Sequence, residues 1–161
     1  SWQLFYEGEA FDGSFLAQAG FAYAQNVGLT IGTNKAGAMA GDDRYGYSLA
    51  AAWAPADAGY VPSVSGGWSM SDPDGTDEEI HGWYVGLEWS DVFFEGNSFG
   101  TAIGQAPKVE DDYNKIWEIF YKFAVSDNIT VTPTYFIIDE YSGDLSSDYV
   151  QGAYVKTTFT F

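Results

Sequence analysis

One stretch near the end of the chain restricts the fold more than any other feature. In Trp117-Glu118-Ile119-Phe120-Tyr121-Lys122-Phe123-Ala124-Val125 the odd positions are Trp, Ile, Tyr, Phe and Val, and Glu118 and Lys122 stand at even ones. A helix would also bring Glu118 and Lys122 together, at i and i+4. It would, however, scatter the five large residues around its circumference. They are β-branched or aromatic, the types that suit a pleated, half-buried strand. Alternation of period two therefore predicts a strand.

The pattern recurs. Phe15, Ala17, Ala19, Phe21 and Tyr23 alternate, as do Tyr45, Tyr47, Leu49, Ala51 and Trp53. Further runs are Trp83 to Trp89, Ile129 to Ile137 and Ala153 to Phe161, with weaker candidates near 1–6, 27–33, 60–70 and 97–105. The reading is all-β, about ten strands and no helix, in a single domain over residues 1–161. Pro133 inside a run marks a bulge or an edge. Connections read as alternately short (25–26, 55–59, 126–128) and long (34–43, 71–79, 106–114, 139–148), with 90–97 intermediate. Short turns on one rim and long loops on the other are the arrangement of an outer-membrane β-barrel.

Composition narrows the function classes. The net charge is −17, from 23 acidic and 6 basic residues, yet only 18% of residues are charged and 19% are aromatic. A disordered acidic chain is poor in aromatics, so disorder is excluded. An acidic surface repels phosphate backbones, so no nucleic-acid partner is expected. The absence of cysteine removes disulfides, thiolate metal sites and cysteine nucleophiles. His81 is the one histidine, which leaves no His-rich metal site and no histidine-based triad. Glu88 and Glu118 are the carboxylates to test for glycoside hydrolysis, but nothing pairs them at the required separation. No enzyme activity, metal or cofactor is expected. No apolar run reaches the ~18 residues that a transmembrane helix needs, while barrel strands need none. The start at Ser1, without a basic and apolar leader, reads as a mature chain or a fragment.

On a barrel, the alternating aromatics face lipid. Trp53, Trp89, Phe123, Phe159 and Phe161 then lie near the short-turn rim, and Tyr45, Trp83, Trp117 and Tyr135 near the other, as interface girdles. The opposite face carries few charges, and Arg44, Glu88, Glu118, Lys122 and Lys156 are the expected pore-lining residues. Many of its other positions are small, including Gly20, Gly28, Thr30, Gly32, Gly100 and Gly104, which leaves a lumen open. Acidic residues crowd the long segments: Asp72, Asp74, Asp77, Glu78 and Glu79, with Asp42, Asp43, Glu110, Asp111, Asp112, Asp139, Glu140, Asp144 and Asp148. They would ring the outer mouth and raise the local cation concentration. The run from Asp72 to Glu79 is no EF-hand loop, because Gly75 falls at position 4 where that loop needs glycine at position 6. Solvated loops are the expectation.

Three segments carry a resemblance. Gly100-Thr101-Ala102-Ile103-Gly104-Gln105-Ala106-Pro107-Lys108-Val109 resembles the segment before the last strands of cyanobacterial OprB-like porins. The run from Trp117 to Phe123, followed by Val125-Ser126-Asp127-Asn128-Ile129-Thr130-Val131-Thr132-Pro133, resembles their penultimate hairpin. Val155-Lys156-Thr157-Thr158-Phe159-Thr160-Phe161 resembles their terminus. The resemblance covers about residues 98–161; the earlier part agrees in pattern. It implies an outer-membrane porin, usually trimeric, that passes inorganic ions and small polar solutes by diffusion. It also implies sixteen strands, so this chain would be the C-terminal part of such a barrel. Terminal aromatics like Phe159 and Phe161 resemble the signal that the barrel-assembly machinery reads. The rival readings are an outer-membrane barrel without conductance and a secreted β-sandwich that binds glycans.

Overall fold

The computed structural model describes residues 1–25, 36, 43–57, 59–75, 77–109, 114–140 and 149–160. Nine strands follow one another: β1 (Trp2–Glu9), β2 (Gly13–Ala24), β3 (Arg44–Pro55), β4 (Ser63–Pro73), β5 (Ile80–Ser90), β6 (Ser98–Val109), β7 (Lys115–Ser126), β8 (Ile129–Asp139) and β9 (Val150–Phe159). They form one sheet in the order β1 to β9, and every neighbouring pair is antiparallel. The outer strands are β1 and β9. No helix among the described residues is long and apolar enough to cross a membrane.

All the expected runs except 27–33 appear as strands, and that run lies outside the described residues. Because β2 pairs directly with β3 from Gly13↔Pro55 to Ala24↔Arg44, nothing is inserted between them in the sheet. The connection lengths need correction. Strands β4 and β6 run on to Pro73 and Val109, so the links 74–79 and 110–114 are no longer than 56–62 and 91–97 on the other rim. The contrast survives at the two ends of the sheet, where 25–43 and 140–149 oppose 10–12 and 127–128.

The turns explain how such short links close. At 10–12, Phe11 and Asp12 both have positive φ (53° and 56°), and the Ala10 amide donates to the Gly13 carbonyl. Positive φ at both central residues matches the right-handed strand twist of a tight hairpin. The indole of Trp53 on β3 donates to the Ala10 carbonyl at 2.8 Å, and that of Trp89 on β5 to the Tyr60 carbonyl at 3.1 Å. Each indole thereby ties a turn to a strand beyond it. At 91–97, Asn97 is buried. It accepts from the Ala124 amide and donates to the Tyr121 hydroxyl, which in turn donates to the Val92 carbonyl. Strand β7 thus holds this turn from the side.

The register sorts side chains onto two faces. One carries rows such as Leu4, Ala19, Leu49, Trp68 and Trp83, and Tyr6, Ala17, Ala51, Gly66, Val85, Ile103, Trp117 and Ile137. The other carries rows such as Glu7, Leu16, Ala52, Ser65, Gly86, Ala102, Glu118 and Phe136. Aromatic rings on this second face lie over glycines of the paired strand: Tyr84 over Gly67, Phe120 over Gly100 and Phe136 over Gly152. A Cβ at Gly67 would stand 2.5 Å from the Tyr84 ring. The missing side chains let the rings lie down along the wall, an aromatic–glycine pairing that shields the bare backbone.

Candidate functional site: the two faces of the sheet

Exposure divides the faces in the reverse of the usual sense. Along β3, Tyr45, Tyr47, Leu49 and Ala51 are exposed, whereas Gly46, Ser48, Ala50 and Ala52 between them are half-buried. Leu49 is 57% exposed, and Trp68 and Trp83, its row neighbours, are exposed too. The aromatic face stays open to the edges, with Trp2, Leu4 and Tyr6 on β1 and Val155 and Phe159 on β9. Buried apolar residues are few: among the described residues only Ala36, Ile80 and Val109 form a core cluster. A soluble domain of this size buries most of its large apolar side chains, and an apolar surface this continuous marks an interaction face. Ring contacts run along it, as in Trp2–Phe21, Phe21–Tyr47, Tyr23–Tyr45 and Tyr121–Phe123.

Of the expected girdle residues, Trp53, Trp89, Phe123 and Phe159 stand near the strand ends on the rim of the 10–12 and 127–128 turns, and Tyr45 and Trp117 near the opposite ends, while Trp83 pairs with Trp68 farther in. Tyr135 departs from that expectation, since it sits near the middle of β8. Trp68, near the middle of β4, is a face residue that the weak alternation of 60–70 hid.

The second face gathers the charges. Glu88 on β5 and Lys122 on β7 form an ion pair, with Nζ 2.7 Å and 2.9 Å from the two carboxylate oxygens. Ser98, on the strand between them, donates to Glu88 Oε1 at 2.6 Å. The Lys122 ammonium also stands 5.3 Å from the centre of the Phe120 ring, within cation–π range. Three adjacent strands thus hold one half-exposed polar cluster. Glu118 lies on the same face without an ion pair among the described residues. Glu7 on β1 shares that face and was missed, because the alternation near 1–6 is weak and stops short of it.

One cavity of about 500 Å³ touches Glu7 on β1, Ser14 on β2, Ser65 on β4, Glu88 on β5 and Glu118 on β7. A flat sheet would separate β1 from β7 by six spacings of roughly 4.8 Å, so a shared cavity means that the sheet curls with this face inward. Glu7, Glu88 and Glu118 line the hollow, and Lys122 neutralises only Glu88.

The other expected residues scatter. Lys156 is exposed on β9, opposite Thr132, two strands from Lys122 on the same face. Arg44 is buried, 5% exposed, at the start of β3. Asp72 is the penultimate residue of β4, paired with Tyr45, and not a loop residue. Asp74, Asp77 and Glu79 are exposed in the following link, and Glu78 is half-buried. Among the described residues no group of acidic or histidine side chains is arranged to hold a metal ion. Phe159 ends β9. Phe161, Asp42, Glu110, Asp111, Asp112, Asp144 and Asp148, with Gly28, Thr30 and Gly32, lie outside the described residues. Lys108, 8% exposed near the end of β6, is a second buried cation that the sequence did not single out.

No family model matches the chain, and no solved structure matches it significantly. Among curated proteins, the uncharacterized protein alr4550 of Nostoc sp. (strain PCC 7120) is 32% identical over 159 residues, covering 92% of this chain. The chain spans 27% of the length of that relative.

Proposed function

We propose that this chain forms part of the wall of an outer-membrane β-barrel that acts as a porin, a passive channel for inorganic ions and small polar solutes. The observation that carries the reading is the exposed aromatic face, which along β3 presents Tyr45, Tyr47 and Leu49 while the small Gly46, Ser48 and Ala50 between them are half-buried. Lipid is the solvent in which that distribution is favourable. Among the described residues all nine strands lie in one sheet, with no second sheet over the aromatic face. The curled second face would be the lumen. Its carboxylates, Glu7, Glu88 and Glu118, outnumber the ammonium groups of Lys122 and Lys156, which favours cations or neutral solutes. The resemblance of 98–161 to OprB-like porins supports the same reading.

Paired substitutions test the lipid face. An arginine on the lipid face near the bilayer midplane costs about 2–4 kcal/mol, whereas one facing the lumen is tolerated. In the full-length polypeptide, Leu49→Arg should therefore weaken folding into phospholipid vesicles by about 2–4 kcal/mol, and Ala50→Arg should not. If Leu49 faces water, as its exposure alone would suggest, Leu49→Arg will fold as well as the parent, and the membrane reading fails. Conductance steps in planar bilayers then separate a porin from a closed structural barrel.

A further inference from the structure

We infer that the rim of the 10–12, 56–62 and 91–97 turns is a docking surface for a basic, proline-rich polypeptide segment; the inference does not depend on whether the aromatic face of the sheet meets lipid. Three successive hairpin turns on this rim hold large rings out to solvent. Phe11 is 93% exposed, Tyr60 fully so, and Phe93 and Phe94 are 85% and 70% exposed. The turns themselves are fixed. The Trp53 indole ties the first and the Trp89 indole the second. In the third, Asp91 accepts from the Gly96 amide at 2.7 Å and Asn97 from the Ala124 amide at 2.9 Å. Phe93 meets the Tyr121 ring along one side, with centroids 6.1 Å apart, and leaves most of its surface open. Two of the rings are kept at a conformational cost. Phe11 and Phe93 have φ of 53° and 66°, in the left-handed region that glycine and asparagine enter readily and a bulky residue does not. Strain of this kind in two separate turns points to a use of the side chain outside the turn.

The surroundings of the rings select the partner. Asp12 follows Phe11, Asp57 stands just before Tyr60, and Glu95 follows Phe94; all three acids are exposed. The three turns contain no lysine or arginine. This excess of negative charge suits a basic partner and disfavours the phosphate layer of a membrane. Neighbouring turns on the rim are two strands apart, about 9.6 Å at a strand spacing of about 4.8 Å. A polyproline II helix repeats every three residues with a rise of about 3.1 Å each, or about 9.3 Å per turn. Successive turns of such a helix therefore meet successive rings. Proline-rich segments dock on aromatic side chains in this conformation, and acidic neighbours favour lysine or arginine between the prolines.

The test uses the full-length polypeptide in lipid nanodiscs, or in buffer should alkaline carbonate release it from its membrane; such release brings down the membrane reading and leaves this inference standing. The probes are synthetic peptides of four Lys-Pro-Pro repeats and of four Lys-Gly-Gly repeats, which carry equal charge. Calorimetry should show the proline peptide binding tighter by about tenfold or more. Phe11→Asn combined with Phe93→Asn gives each turn a residue suited to positive φ, so this variant should fold at least as well as the parent. With Tyr60→Ser added, it should bind the proline peptide about tenfold or more weakly than the parent does. Equal affinity for the two peptides, or unchanged affinity in the triple variant, means attraction by charge alone and overturns the inference, as does a failure of the proline peptide to bind. A photo-crosslinking benzophenone side chain at Tyr60 separates polypeptide from lipid. Adducts with the proline peptide support the inference, and adducts with phospholipid that the peptide does not displace overturn it.

Discussion

Placing a methyl group at Gly100 should drive the Phe120 ring off the wall. A Cβ built there falls 2.7 Å and 2.8 Å from the two Cε atoms of Phe120, and nearer still to Cζ. Carbon atoms pack at about 3.5–4.0 Å, so the ring must retreat by about 1 Å. Retreat means rotation away from a favoured rotamer, at about 0.5–1.5 kcal/mol, or a shift of β7 against β6. Overpacking of this kind costs about 1–3 kcal/mol, the loss expected for Gly100→Ala. Gly46→Ala provides the contrast, because its Cβ would meet nothing closer than 3.8 Å. There alanine should stabilise the strand by about 0.5–1 kcal/mol, since glycine loses more conformational freedom on folding. The assay is urea unfolding in detergent micelles or vesicles, followed by tryptophan fluorescence. A double-mutant cycle isolates the clash: in a Phe120→Ala background, Gly100→Ala should cost less than it does in the parent by at least about 1 kcal/mol. An equal penalty in both backgrounds would refute the ring-over-glycine account.

Three further outcomes follow from the same geometry. Asn97→Ala removes the acceptor for the Ala124 amide and the donor to Tyr121, and should cost about 1–3 kcal/mol in the same unfolding measurement. Lys122→Met should change stability by less than about 1 kcal/mol, because the pair with Glu88 is half-exposed. It should nevertheless shift the bilayer reversal potential toward cations, by leaving Glu88 uncompensated on the inward face. Glu7→Gln with Glu118→Gln should shift the reversal potential the opposite way; an unchanged potential would show that these carboxylates do not line the conducting path.

Much of the sheet was legible because alternation is a local property. The stretch from Trp117 to Val125 shows its period without reference to any partner, and β7 spans Lys115–Ser126. Strand β4 was faint for a physical reason: Ser63, Ser65, Gly67, Ser69 and Ser71 on one face are interrupted by Gly66 on the other, so its contrast is low. Strand β6 outran its expected end because the register shift between His81 and Trp83 lets it continue past Ala106 and Pro107. Bulges depend on the partner strand and leave little trace in one sequence. The cluster was half legible. Glu88 and Lys122 were singled out separately, but their pairing across Ser98 requires the register. The burial of Arg44, 5% exposed, is likewise not encoded by alternation.

The order of the sheet also bears on how it forms. Every ladder joins strands consecutive in sequence, so no pairing waits for a distant segment to arrive. Pairing neighbours in sequence keeps each loop to be closed short, which lowers the entropy cost of bringing the strands together. The β7–β8 hairpin, closed through 127–128, needs the shortest loop closure in the sheet. Each later strand then meets an edge already next to it in the chain. The slow step falls to β2 and β3, which must close the 25–43 connection before their ladder can begin.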